Sequence, residues 1–201
     1  MKYFLLIFIG LSLFFSACQP KKLPILGEKD FVNGDSVYHT IPDFKLIDQD
    51  SNVVTNQTYA NKIYVADFFF TTCPTICPIM KTQLLRVYDK FKENPQVGIL
   101  SHTIDPRHDS VAVLKAYAKR LGVSGNFWHF VTGARNDIYD LGQKSYMVTA
   151  TEDPASPGGI MHSGAFILID KQRRVRGTYD GTKEKDVDRL MSDMEILLKE
   201  E

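Results

Sequence analysis

Residues 63–78 read Ile63-Tyr64-Val65-Ala66-Asp67-Phe68-Phe69-Phe70-Thr71-Thr72-Cys73-Pro74-Thr75-Ile76-Cys77-Pro78, and the architecture unfolds from them in both directions. Ile63 to Phe70 is a nearly continuous apolar, β-rich run, the pattern of a strand buried on both faces. Downstream, Met80, Leu84, Val87, Tyr88 and Phe91 recur at helical spacing until Pro95 stops them. Two cysteines flanked by prolines lie between strand and helix. A helix begun at Pro74 would drive the Pro78 ring into the carbonyl four residues back, so the helix is expected to start with Pro78 at its first position. Cys77 is then the N-cap and Cys73 lies in the loop before it, both extended, because residues before proline avoid the helical region. Unpaired N–H groups and the dipole at a helix N-terminus favour thiolate over thiol, so both sulfurs are expected to deprotonate easily.

Upstream, Phe44 and Leu46 alternate with polar neighbours, Asp48 to Asn52 supplies turn residues, and Val53-Val54 resumes, which predicts an opening hairpin. On the other side, Val97 to Ile104 reads as a second central strand. Val111 to Leu121 reads as a helix capped by Asp109 or Ser110 and closed by Gly122. Phe127 to Thr132 is a third strand and Asn136 to Gly142 a short helix. Ala165 to Asp170 and Arg174 to Tyr179 flank Lys171 and Gln172 as an antiparallel hairpin, and Val187, Leu190, Met191, Met194 and Leu198 mark a final helix. Such an order predicts an α/β domain with a central mixed β-sheet, helices on both faces and an N-terminal β-hairpin, which resembles the thioredoxin-like arrangement. No repeat or composition break divides residues 38–201.

The 201 residues carry 24 Lys+Arg against 24 Asp+Glu. With no basic excess there is no electrostatic case for nucleic acid as a partner. Hydrophobic residues at 44% and charged residues at 24% exclude a disordered, collagen-like or multi-span membrane chain. At the N-terminus, Lys2 precedes an apolar run from Phe4 to Phe15, and Ser16-Ala17 leads into Cys18. That is the order of an export signal, and the run is shorter than the ~20 residues a spanning helix needs. Phe15-Ser16-Ala17-Cys18 resembles a bacterial lipobox, in which the cysteine is lipidated; an uncleaved anchor would tether the same domain outside the cytoplasm. Residues 1–17 are thus read as a lipoprotein-type signal, 18–37 as a flexible tether rich in Pro, Gly and mixed charge, and 38–201 as the folded domain.

The bland reading of Cys73 and Cys77 is a structural disulfide, but closing so short a loop stabilises by only about 2 kcal/mol. A domain of this size has its own core, so a reactive or metal-binding pair is the better reading. Three residues separate the cysteines, one more than in the redox loop of thioredoxins, and the wider loop can hold two thiolates on one ion. Among the histidines, His162 is the best further candidate. It sits in Gly158-Gly159-Ile160-Met161-His162-Ser163-Gly164, just before the strand from Ala165 and 85 residues (162 − 77) beyond Cys77. Its bland alternative is a hydrogen-bonded loop residue. Met161 would point to the opposite face. His102 and His129 fall within strands and His108 in a helix-entry loop, so packing roles are expected for these three, while His39, in the tether region, is uninformative. Asp105 and Asp109 read as turn and capping residues first.

DFFFTTCPTICP, the strand leading to Asp105-Pro106-Arg107 and Asp109, Trp128 with Thr132-Gly133, and His162 before a late strand together resemble the Sco/SenC family over roughly residues 39–199. The resemblance implies a thioredoxin-like copper-binding domain that helps assemble the binuclear copper centre of cytochrome c oxidase subunit II. Carried over residue by residue, the copper ligands are Cys73, Cys77 and His162, with a glycine-flanked histidine where redox-active thioredoxin relatives carry a cis-proline. Thiolates suit Cu(I) and an added imidazole suits Cu(II); a closed zinc site would want a fourth ligand. Implied partners are subunit II or a similar copper acceptor, a copper donor or thiol reductant, and the membrane through a lipid on Cys18, with the domain on the extracytoplasmic (periplasmic) side. The same pair supports an alternative function, thiol-disulfide exchange that keeps the acceptor cysteines reduced. A third reading is a peroxidase using Cys73, since IPDFKLIDQD fits the opening hairpin of peroxiredoxin-type proteins.

Overall fold

A computed structural model describes residues 22–152 and 160–200, with side chains for 22–149 and 163–200. Residues 22–28 form a strap along the domain, in which Leu23 is buried and Leu26 bridges to Val175. The next elements, β1 (Lys29–Val32) and β2 (Asp35–Tyr38), pair antiparallel around Asn33 and Gly34. Both turn residues have positive φ, 54° and 90°, as a two-residue hairpin turn twisted to match its strands requires. Residues 22–38, read above as mostly flexible tether, therefore carry structure of their own. The Asn-Gly turn and the apolar Leu23 are the reasons.

The expected opening hairpin follows as β3 (Lys45–Asp48) and β4 (Val53–Thr55). The central run forms β5 (Ile63–Phe69), buried at every residue, and leads through the cysteine loop into α1 (Ile76–Phe91). Next come β6 (Val97–Thr103), α2 (Val111–Leu121), β7 (Trp128–Thr132) and α3 (Arg135–Asp140). Ser110 caps α2 by accepting from the Val113 N–H, and Gly122 closes it at φ 72°. α3 continues as a wider π turn over Leu141–Ser145, beyond the end expected at Gly142. β8 (Ala150–Glu152) and β9 (Ile160–His162) pair with each other. β10 (Ala165–Ile169), β11 (Val175–Asp180) and α4 (Glu184–Glu200) complete the chain.

Among the described residues one seven-stranded sheet runs β11-β10-β5-β6-β7-β3-β4, with β5, β6 and β7 parallel and the outer pairings antiparallel. Alternation along β5 divides its neighbours. Asp67 and Phe69 face the α1 and α2 side, where they meet Lys81 and Tyr117. Tyr64 and Phe68 face the other side, where they meet Tyr146 at the end of the π turn. Helical segments thus cover both faces of a mixed sheet, as the alternating pattern requires.

One local expectation fails. α1 begins two residues early, with Thr75 before its first residue, so Cys77 is the second helical residue and Pro78 the third. Proline is tolerated there because the first four N–H groups of a helix have no partner to lose, and the carbonyl its ring would strike belongs to Pro74, outside the helix.

Candidate metal centre

The cysteine loop begins with a turn in which the Cys73 N–H donates to the Phe70 carbonyl (3.2 Å). Neither cysteine is in a disulfide, and their sulfurs lie within hydrogen-bonding reach of each other. They differ in exposure, Cys73 at 8% and Cys77 at 2%. Burial pushes the Cys73 thiol up, but N–H groups of Thr75 and Cys77 at the start of α1, with the Cys77 and Thr75 side chains, outweigh it and leave the thiol below its ordinary range. The Thr75 hydroxyl is 3.7 Å from the Cys73 sulfur. Burial dominates at Cys77 and holds that thiol far above the ordinary range, against a backbone N–H from Phe70 and the nearby charge of Lys81. The sequence-based expectation of two acidic thiols is therefore corrected to one, because the same helix turn that offers N–H groups to Cys73 buries Cys77.

Lys81, one helical turn beyond Cys77, lines a cavity of about 260 Å³ with Cys73, Cys77, Phe70 and Tyr117. Its ammonium donates to Asp67 Oδ2 (2.6 Å) and Ser101 Oγ (3.1 Å) and lies 4.0 Å from the centre of the Phe69 ring. Ser101 in turn donates to Asp67 Oδ1 and accepts from the Trp128 Nε1–H (2.9 Å). Each of these groups is buried, and the pairing offsets the cost of placing opposite charges under the loop. Asp109, also fully buried, fastens the start of the loop. It accepts from the Thr71 N–H (3.0 Å), the Thr71 hydroxyl and the Thr103 hydroxyl (2.6 Å), and is 3.0 Å from His108 Nδ1.

These supports went unread in the sequence, though the signals existed. Lys81 occupies the apolar stripe of α1 between Cys77 and Leu84, and Asp67 interrupts an otherwise apolar strand; opposite charges at two core positions point to a pair. Asp109 is more than the turn residue expected of it.

His162 ends β9, opposite Ala150, and its side chain lies outside the described residues, as does Cys18. The backbone after it is informative. β10 runs antiparallel to β5, with Ile167 opposite Ala66, so the chain enters β10 at the end of β5 that carries the cysteines. A Cβ placed on Gly164 would sit 3.7 Å from Ile76 Cδ1. Among the described residues, no three His, Cys, Asp or Glu side chains converge on one point. His102 is fully buried, stacked on Phe68 (4.6 Å), with Nε2 lacking a hydrogen-bond partner among the described residues and burial lowering its pKa to about 4. His129 is held by Asp48 Oδ2 (2.9 Å) and His39 lies 2.9 Å from the Ser145 carbonyl. The packing roles expected for His102 and His129 fit those contacts.

The sequence profile of the SCO1/SenC family matches residues 33–199. Among solved structures, a SCO1/SenC family lipoprotein from Bacillus anthracis superposes with a TM-score of 0.73 at 26% identity, covering 80% of this chain and 95% of that one. BsSco, a member of the Sco family of cytochrome c oxidase assembly proteins in which a disulfide switch has been identified, gives 0.69 at 28% identity, covering 79% and 93%. Arabidopsis thaliana ScoI with copper bound gives 0.64 at 27% identity, covering 79% and 98%.

Proposed function

The chain belongs to the SCO1/SenC family, and from that premise we propose that it is a copper metallochaperone serving assembly of the binuclear copper centre in cytochrome c oxidase subunit II. The observation that carries this is the pair of reduced thiols within reach of each other beside a cavity, the Cys73 thiol held below its ordinary range. The donor set suits copper: Cys73 and Cys77 supply soft thiolates for Cu(I), and His162 adds the imidazole that lets the same point hold Cu(II). The approach of Gly164 to Ile76 supports His162 as the third donor. The related Arabidopsis protein holds copper. Three protein ligands leave one edge open, where an acceptor cysteine can bond the ion before Cys73 lets go, so copper passes without entering solution. The Lys81 ammonium, itself paired with Asp67, lies near Cys77 and favours its thiolate form. An N-terminal lipid on Cys18, an anchor in keeping with the relative being a lipoprotein, would hold the domain on the extracytoplasmic side; among the described residues no helix is long and apolar enough to cross a membrane.

Titration of the reduced chain with Cu(I) against a competing chelator tests this reading. About one copper per chain is expected, with stoichiometric uptake lost in Cys73→Ala and Cys77→Ala and the Cu(II) absorption spectrum changed in His162→Ala. Uptake indifferent to all three would overturn it.

The unequal thiols favour thiol-disulfide exchange as a second reading. Cys73 thiolate would attack a partner disulfide, releasing one partner sulfur as thiolate; Cys77, giving up its proton, would then displace the second, leaving a Cys73–Cys77 disulfide and a reduced partner. Exchange that survives His162→Ala but needs both cysteines would favour this chemistry over metal transfer.

A further inference from the structure

Charge is missing from the surface around the cysteines. Charged residues make up 24% of the chain, yet the ten from Thr71 to Met80 include none. Thr72, Pro74, Thr75, Pro78 and Ile79 of that stretch are exposed, Ile79 at 48%. The apolar stripe of α1 is complete without that isoleucine, since Met80, Leu84, Val87 and Phe91 fill it. Ile79 is therefore left in water beside the loop with no part in the core.

Ile76 and Ile79 lie three residues apart and so share one side of α1. Ile76 lines a hollow of about 480 Å³ with Gly164, Ala165, Thr178 and Thr182. One wall of the hollow thus opens the helix that carries Cys77, and another follows His162 by two residues. The charged side chains bordering this side of α1 are paired within the chain: Asp180 with Lys183 (2.9 Å), and Arg86 with Asp188 (2.5 Å) and Glu184 (3.9 Å). Across the loop, Lys81 is buried against Asp67 (2.6 Å) and Arg120 lies over the Tyr117 ring (5.2 Å).

This distribution selects among partners. A protein that placed a charge over Ile79 would strip its water with no counter-charge to receive it. One that offers aliphatic side chains meets an apolar ridge and a hollow that can take one of them, the charge-depleted centre that protein interfaces favour. The occupant follows from the sulfurs. Cys73 is 8% and Cys77 2% exposed, so an ion held there passes to another protein only if that protein covers the loop and bonds the ion directly. We propose that the copper acceptor docks on this face through an uncharged, aliphatic surface around its own cysteines, with Ile79 at the centre of the contact and the hollow beside Gly164 taking one acceptor side chain. This rests on the copper-carrier reading under Proposed function and adds the chemistry of the partner surface to it.

Full-length chain in non-ionic detergent is titrated into labelled, metal-free and reduced cytochrome c oxidase subunit II, and Kd is read from fluorescence anisotropy. Ile79→Asp and Ile79→Lys are each expected to weaken binding by about tenfold or more, since either charge is desolvated unpaired. Ile79→Ala should weaken it by about threefold. Val53→Asp, exposed on β4 at the far edge of the sheet, should leave it unchanged. The parent Kd should move by less than about threefold between about 50 and 300 mM NaCl. One-to-one Cu(I) uptake by the Ile79 variants checks that the loop is intact; if a charged variant loses uptake, Ile79→Ala decides. Tightening by one sign of charge, a tenfold salt dependence, indifference to all three Ile79 variants, or no binding by a chain that does take up copper each overturns the docking proposal alone. A parent chain whose copper uptake ignores Cys73, Cys77 and His162 overturns the carrier reading, and this proposal with it.

Discussion

Which N–H groups face each sulfur decides the difference between Cys73 and Cys77. Cys73 receives those at the start of α1, while Cys77 is buried within the same turn. Limited alkylation of the reduced chain followed by mass mapping is therefore expected to modify Cys73 well before Cys77; equal rates would contradict the assignment. His102 makes a second prediction. Burial lowers it to about 4, below the ~6.5 it has in an unfolded chain. The unfolded state then takes up the proton first as pH falls. Stability is fully present above about pH 6.5 and is lost toward about pH 4, by roughly 3 kcal/mol in all. Urea unfolding across that window should show the loss, and His102→Leu should shrink it. An unchanged acid limb in the variant would assign the effect to another group.

Elements are joined under the cysteine loop by polar side chains as well as by the apolar core. Lys81 of α1, Asp67 of β5 and Ser101 of β6 tie three elements together out of water. Lys81→Met leaves a buried carboxylate without its cation and is expected to cost about 3–5 kcal/mol in urea unfolding, whereas adding Asp67→Leu should recover most of it. A double variant no better than the single would show that packing around Lys81, not charge, carries the effect. Asp109 connects the residues before α2 to the start of the loop. Asp109→Ala should accelerate hydrogen exchange at the Thr71 N–H and cost about 1–3 kcal/mol; unchanged exchange there would mean the loop is held by other contacts. Much at this scale was legible in sequence. Ser110 and Gly122 mark the ends of α2, and the run from Ile63 gives β5, because caps, turns and apolar periodicity act over a few residues. The start of α1 was misplaced because a proline is acceptable at several first-turn positions, and only the path of the incoming chain selects among them.

Across the whole molecule, the strap and α4 meet through Arg176 although more than 150 residues separate their partners in sequence. Leu23→Ala is expected to lower stability by about 2–3 kcal/mol. Phe31→Ser, on the exposed hairpin, should change it by no more than about 0.5 kcal/mol. Comparable losses from both would place the hairpin in the core and contradict its exposure. Copper handling belongs to this scale too, since a donor at His162 reaches Cys73 and Cys77 only if β10 enters the sheet at the cysteine end of β5.

The chain's own order of residues was enough to define the alternating strands and helices, the mixed sheet, and a pair of cysteines at a helix start, because each depends on neighbours a few positions away. Folding alone decided which sulfur ionises more readily, which buried charges stand beneath the loop, and that the stretch after Lys21 is docked and not free. Those outcomes depend on burial and on partners supplied from distant segments. A residue's environment is a property of the packed whole, and no local pattern contains it.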